Sequence, residues 1–224
     1  MTQTMLKGWM GMVLAVLVAV DLAAQAGPSG PMAEAQPGTA AEVPGRGPQV
    51  GGAAPDFTLV GADGKTYKLS DYKDKVVVLE WLNQDCPFSN YKTGAGPRSK
   101  ALAEKCREAG VVWLGIDTTH YQTVEGEAKY IKENQIPYPI LMDTDGRVGR
   151  LYGAATTPHV FVIDKGKIRY IGAFDNDPRR DRPAGEYRGY VEEALAAVLA
   201  GKDVPLTSVA PWGCTVKYRP EDKG

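Results

Sequence analysis

Val76-Val-Val-Leu-Glu-Trp-Leu-Asn-Gln-Asp-Cys-Pro-Phe-Ser89 is the stretch that decides the fold. Its first seven residues are apolar except Glu80, the pattern of a strand buried on both faces of a sheet. Asn83-Gln84-Asp85 reads as a turn. Cys86 follows directly, and Pro87 comes next, a residue favoured in the first turn of a helix. The spacing therefore predicts a thiol at a strand-to-helix junction. Unpaired backbone N–H groups and the helix dipole stabilise a thiolate there, and the thiolate is the reactive form. A buried, inert cysteine is the alternative, and the position after the strand rather than within it speaks against that. Ser89 stands three residues on, where a Cys-x-x-Cys motif would hold a second thiol. Its hydroxyl can donate to the Cys86 sulfur but cannot form a disulfide. Cys86 can attack a disulfide or a peroxide, and the product must then be resolved from elsewhere.

Outward from this stretch, strands and helices alternate. Residues 96–109 suit a helix, with Leu102, Cys106 and Ala109 on one face and charges between them. Gly110 stops it. Further strands are expected at 111–116 and 138–142, and helices at 124–134 and 186–200. Val160-Phe-Val-Ile163 and Ile168 to Ile171 flank Asp164-Lys165-Gly166, a hairpin signal. Phe57 to Val60 and Thr66 to Leu69 suggest a hairpin at the start. This order implies an α/β fold with a central mixed sheet and helices on both faces.

Composition narrows the function classes. Twenty-six Lys and Arg against 27 Asp and Glu leave a net charge of −1 over 224 residues, no footprint for nucleic acid. With 43% hydrophobic and 24% charged residues the chain is neither disordered throughout nor a multi-span membrane protein. Three cysteines and two histidines exclude a disulfide-dense scaffold. The pattern calls for no cofactor and no metal. Asp143-Thr-Asp145-Gly146 resembles a calcium loop but lacks the later glutamate, and reads as a turn capping the next short helix.

The N-terminus reads as an address. Lys7, an apolar run from Trp9 to Val20 and Ala24-Gln25-Ala26 make a secretory signal over residues 1–26. The run is shorter than the roughly 20 residues that cross a bilayer, so no stable membrane span is expected after its removal. Residues 27–50, rich in Pro and Gly, read as a linker. A domain over 51–200 and an irregular tail over 201–224 complete the expected organisation. The expected location is periplasmic or secreted, where disulfides persist.

Further motifs carry a resemblance. Ala54-Pro-Asp-Phe57, the strand ending in Trp81, Cys86-Pro-Phe-Ser89, Thr157-Pro158 and Gly213-Cys214-Thr-Val-Lys217 occur in the order found in thioredoxin-fold redoxins. That group includes the alkyl hydroperoxide reductase/thiol-specific antioxidant proteins. The last motif resembles small bacterial peroxiredoxin-like proteins described as probable thiol–disulfide oxidoreductases. The resemblance implies a thioredoxin-like sheet and a thiol-dependent oxidoreductase. It implies a cis bond before Pro158, which would press that loop on Cys86 and leave a backbone edge for a substrate strand. It makes Glu80 a buried acid that moves protons for the sulfurs, and Trp81 an aromatic shield for the site or plain core. Asn83 stands where peroxiredoxins carry Thr, and no arginine stands where they carry one. Asn83 can donate to a peroxide oxygen, but stabilisation of the developing charge should be weaker.

Cys106 reads as core: one helix over residues 88–106 would span roughly 27 Å, beyond disulfide reach. Cys214 is the better resolving candidate, against a free cysteine or a Cys106–Cys214 staple. His159, after Pro158, is either an acid/base near Cys86 or a packed strand residue. His120 reads as solvated. The expected enzyme is an exported oxidoreductase with Cys86 as its single nucleophile, acting on a protein or small-molecule disulfide or thiol, or on a peroxide. An external thiol reductant or Cys214 would regenerate it. The alternative is a non-catalytic thioredoxin-fold module that holds exported client proteins.

Overall fold

In the computed structural model, the described residues are 47–92 and 94–220; the signal segment and most of the linker lie outside them. The apolar run forms β3 (Val76–Trp81) at the centre of an eight-stranded sheet. On one side β3 runs parallel to β4 (Val112–Asp117), which runs parallel to β5 (Ile140–Met142). On the other it runs antiparallel to β7 (His159–Asp164), and β7 pairs with β8 (Lys167–Gly172) in the expected hairpin. The N-terminal hairpin of β1 (Thr58–Gly61) and β2 (Thr66–Lys68) joins at β5. The sheet is mixed, as the alternation of elements requires.

Side chains alternate across β3 and build two cores. Val78 faces α1 (Gly96–Arg107), α2 (Val124–Asn134) and α4 (Tyr190–Leu199) through Leu102, Tyr130 and Leu195. Val77, Leu79 and Trp81 face the other way, against Phe57, Leu69 and α3 (Arg147–Tyr152). Helices therefore cover both faces. Helix α2 starts where the Thr123 hydroxyl accepts the Gly126 N–H at 3.0 Å and ends at Gln135, φ 52°. The Asp143 carboxylate accepts the Val148 and Gly149 N–H groups and caps α3, as the turn reading implied.

Two regions differ from expectation. Pro87 opens no helix: β3 is followed by a loop, and α1 begins at Gly96 with its own proline, Pro97, in the first turn. The tail is mostly irregular, as expected, but carries two short strands. Ser208–Val209 forms β9, parallel to β8, and Cys214–Thr215 forms β10, antiparallel to the short β6 (Thr156–Thr157). Residues 47–52 are docked as well, with Gly51 donating to the Ile168 carbonyl.

Candidate active site

The loop after β3 is one helical turn braced by side chains. Asn83 Oδ1 accepts the Asp85 N–H at 2.7 Å. Cys86 N–H donates to the Asn83 carbonyl, and Ser89 and Asn90 N–H donate back to the Cys86 carbonyl. Ser89 Oγ donates to the Asn83 carbonyl at 3.0 Å and accepts the Asn83 N–H at 3.1 Å. These bonds brace the turn, and no helix grows from Pro87: the chain folds back so that Ala95 N–H donates to the Phe88 carbonyl at 2.7 Å.

Against this turn lies the Thr157–Pro158 loop, whose peptide bond is cis. Cys86 Sγ sits 3.1 Å from the Thr157 carbonyl. The third partner is the tail: Cys214 pairs with Thr157 and Thr215 with Thr156. Val216 N–H donates to the Ala155 carbonyl at 3.1 Å, extending the ladder. Gly213 permits the approach, because a Cβ there would meet the Thr157 oxygen at 2.1 Å and φ is +131°. The register pairs Cys214 with the residue whose carbonyl Cys86 Sγ touches, close enough that each thiol shifts the acidity of the other. The Phe88 ring packs edge-on against Trp212 at 6.4 Å.

Cys86 is 1% exposed, and burial alone pushes its thiol up. The Sγ–H···O=C contact with Thr157 also favours the protonated form. The Cys214 thiol, the Thr157 side chain and the Cys214 and Phe88 backbone N–H groups favour the ionised form, and together they hold the thiol below its ordinary value. Burial and the adjacent Cys86 push the Cys214 thiol up to about 11. The pair is thus polarised: one sulfur disposed to ionise, the other to keep its proton. All three cysteines are free thiols.

The structure brings together Cys86, Thr157, Pro158 and Cys214; the other candidate side chains make their contacts away from the Cys86 sulfur. Ser89 spends its hydroxyl on Asn83 rather than on the sulfur. Glu80 is buried on the central strand, with Ser99 Oγ at 2.6 Å and Trp113 Nε1 and Tyr138 OH at 2.9 Å. Burial raises its carboxyl, and no hydrogen bond joins it to Cys86, so the expected proton relay has no direct contact here. Trp81 is core, not shield: its ring packs on Tyr152 and Phe161, and Nε1 donates to Thr118 Oγ1 at 3.0 Å. His159 packs on Phe161, and its Nδ1 accepts the Ala155 N–H. Burial lowers its pKa to about 4, so it is the packed histidine and neutral at physiological pH. Pro87 is exposed on the turn's rim. Cys106 lies in the α1 core, so the Cys106–Cys214 staple does not form.

Three features escaped the sequence reading. Trp212 Nε1 donates to the Asp175 carbonyl at 2.6 Å, and Arg98 binds the Asp175 and Asp177 carboxylates at 2.7 and 2.6 Å. Asp117 and Glu127 face each other, buried, with Asp117 Oδ2 and both Glu127 oxygens lacking a donor. Nothing in the spacing signals either arrangement. The Gly213-Cys214-Thr-Val-Lys217 motif is the hint to the third, the strand that carries Cys214.

Comparison with known proteins agrees with this fold. A sequence profile of the AhpC/TSA family matches residues 50–171. The thiol-disulfide oxidoreductase ResA of Geobacillus thermodenitrificans is 30% identical over 124 residues, covering 54% of this chain and 68% of that protein. The selenocysteine-containing peroxiredoxin PrxU of Peptoclostridium acidaminophilum is 33% identical over 129 residues, covering 53% of this chain and 61% of that protein. Among solved structures, an uncharacterized conserved protein from Geobacillus kaustophilus superposes with a TM-score of 0.67 at 29% identity, covering 77% of this chain and 94% of that one.

Proposed function

The chain belongs to the AhpC/TSA family, and from that premise we propose a thiol oxidoreductase whose redox couple is Cys86 and Cys214. Cys86 is the nucleophile. It attacks an oxidant, a peroxide or a disulfide, and Cys214 attacks the oxidised Cys86 sulfur to close an intramolecular disulfide. Of the two regenerating routes expected from the sequence, Cys214 or an external thiol, this reading takes Cys214 for the first step. An external thiol reduces the disulfide and completes the cycle.

One observation carries the reading: the tail strand pairs Cys214 with Thr157, whose carbonyl oxygen lies 3.1 Å from Cys86 Sγ. Holding two thiols in one geometry makes their reaction effectively unimolecular. The polarised pair supports the order of events, because the sulfur that ionises more readily attacks first. Thr157 and Pro158 position the pair, and Ser89 and Asn83 brace the turn. Export follows from the signal-like residues 1–26 and places the couple where disulfides persist.

Peptide mapping without reductant, before and after one equivalent of hydrogen peroxide, tests this. The expected product links the Cys86 and Cys214 peptides and leaves Cys106 free. A Cys86–Cys106 link, or full activity in Cys86→Ser, overturns it.

A further inference from the structure

Adding a strand to an exposed backbone edge is a general mode of protein recognition. Beside Cys86 that edge is Thr156–Thr157, and the chain's own β10 already occupies it. The occupancy is fastened along its length. Trp212 donates to Asp175, whose carboxylate Arg98 holds. His120 N–H donates to the Lys217 carbonyl at 3.0 Å. Tyr218 OH donates to the Ala154 carbonyl at 2.7 Å, with the Arg150 guanidinium 4.9 Å from its ring centre. Val216 is buried in the core shared with α3. With this strand seated, Cys86 is 1% exposed.

We propose that the seated tail makes this enzyme selective for small hydroperoxides and shuts out protein disulfides, the tail strand standing where a protein substrate's cysteine strand would dock. The proposal rests on the reading of Cys86 as nucleophile. A protein disulfide needs both the Thr157 edge and an in-line path for a sulfur that carries a chain on each side. A hydroperoxide needs room for two oxygens. The Cys86 thiolate attacks the nearer peroxide oxygen; the S–O bond forms and the O–O bond breaks. The sulfur is oxidised to sulfenic acid, and the peroxide is reduced. The leaving oxygen takes the proton of the neighbouring Cys214 thiol and departs as water or an alcohol. The resulting Cys214 thiolate then attacks the Cys86 sulfur. The S–S bond forms, and hydroxide leaves with a solvent proton as water.

The test compares three full-length variants: Cys214→Ser, Cys214→Ser with Gly213→Val, and Cys214→Ser with Trp212→Ala. The first keeps the backbone pairing; the second drives a side chain into the Thr157 carbonyl; the third removes an anchor without touching the pairing residues. Circular dichroism checks that each folds, and either releasing variant suffices. Hydrogen peroxide is one probe, read as sulfenic acid on Cys86, and insulin the other, read as a mixed disulfide on Cys86. All three variants should form sulfenic acid, more slowly in the releasing ones, which lose the backbone donor at position 214 to the Cys86 thiolate. Mixed disulfide with insulin should form about tenfold or more faster in the releasing variants, as for a site open less than about a tenth of the time when the tail is seated. Equal insulin rates in all three overturn the gate while leaving Cys86 as nucleophile. Reaction with neither probe in any variant overturns the nucleophile itself.

Discussion

Cys86 and Cys106 are both buried thiols, 1% and 7% exposed, in one small domain. Their acidities move in opposite directions. Cys106 sits on α1 among apolar neighbours, and burial raises its pKa. Cys86 is the more deeply buried of the two, yet its pKa falls, because thiol, hydroxyl and amide donors surround its sulfur. Burial sets how strongly neighbours are felt; the neighbours set the sign. Reactivity therefore follows from donors aimed at the sulfur, and those come from three separate segments: the turn after β3, the cis-proline loop and the tail.

The largest expected contrast is in turnover. Cys86→Ser should lower peroxide or disulfide reduction by about three orders of magnitude or more, since it removes the reacting atom. Cys106→Ser should leave turnover intact and cost about 1–3 kcal/mol of stability for a buried hydroxyl without a partner. Steady-state rates and urea midpoints on the two variants check this. Equal losses of activity would erase the distinction between the sites.

A sharper version reads the titration directly. In the wild type, the pH midpoint for iodoacetamide labelling of Cys86 should lie below that of Cys106. Cys214→Ala removes one donor to the Cys86 thiolate. A hydrogen bond to a charged group contributes about 1.5–3 kcal/mol, so the Cys86 midpoint should rise by about one to two pH units. The Cys106 midpoint should stay where it is. An unmoved Cys86 midpoint would mean that the tail does not tune the thiol.

Smaller still is the effect of the brace. Ser89→Ala loses both hydrogen bonds to Asn83 in a buried turn and should cost about 1–3 kcal/mol by urea denaturation, without shifting the Cys86 midpoint. A shifted midpoint would return Ser89 to the sulfur, the role the bare Cys-x-x-Ser spacing suggested.

The same contrast explains what the sequence made legible. The longer strands and helices were readable because each declares itself within a few residues: Val76–Leu82 by an apolar run broken only at Glu80, 160–171 by its hairpin turn. Cys86 was readable because a cysteine just past a buried strand has few bland explanations. The helix expected at Pro87 does not form because the chain folds back after one turn, with Ala95 N–H on the Phe88 carbonyl, a contact that local propensity does not register. Strand β10 was illegible for a stronger reason. Two residues have no periodicity, and what makes Cys214–Thr215 a strand is a partner 57 residues away in sequence. The requirement for Gly213 comes from the Thr157 oxygen, not from anything local.

Two buried acids extend the comparison to its smallest effect. Glu80 and Glu127 both have raised pKa values through burial. Glu80 is met by three donors, whereas Glu127 faces Asp117 with no donor at all. Two buried carboxyls in contact cannot both ionise cheaply, so Glu127 keeps its proton up to about pH 9. In the unfolded chain the same group loses its proton near its ordinary value, about 4.3. Between those values the folded state binds more protons than the unfolded one, so this group makes stability fall as pH rises, and the loss is complete above about pH 9. Glu127→Gln keeps the shape and removes the titration. It should flatten the decline in urea midpoint across that window and leave the variant more stable than the wild type at its alkaline end. Glu80→Gln can keep an oxygen toward Trp113 and Tyr138 and turn its amide toward Ser99, so its pH profile should change less. If the two variants flatten the profile equally, the missing donors at Glu127 are not what sets it apart.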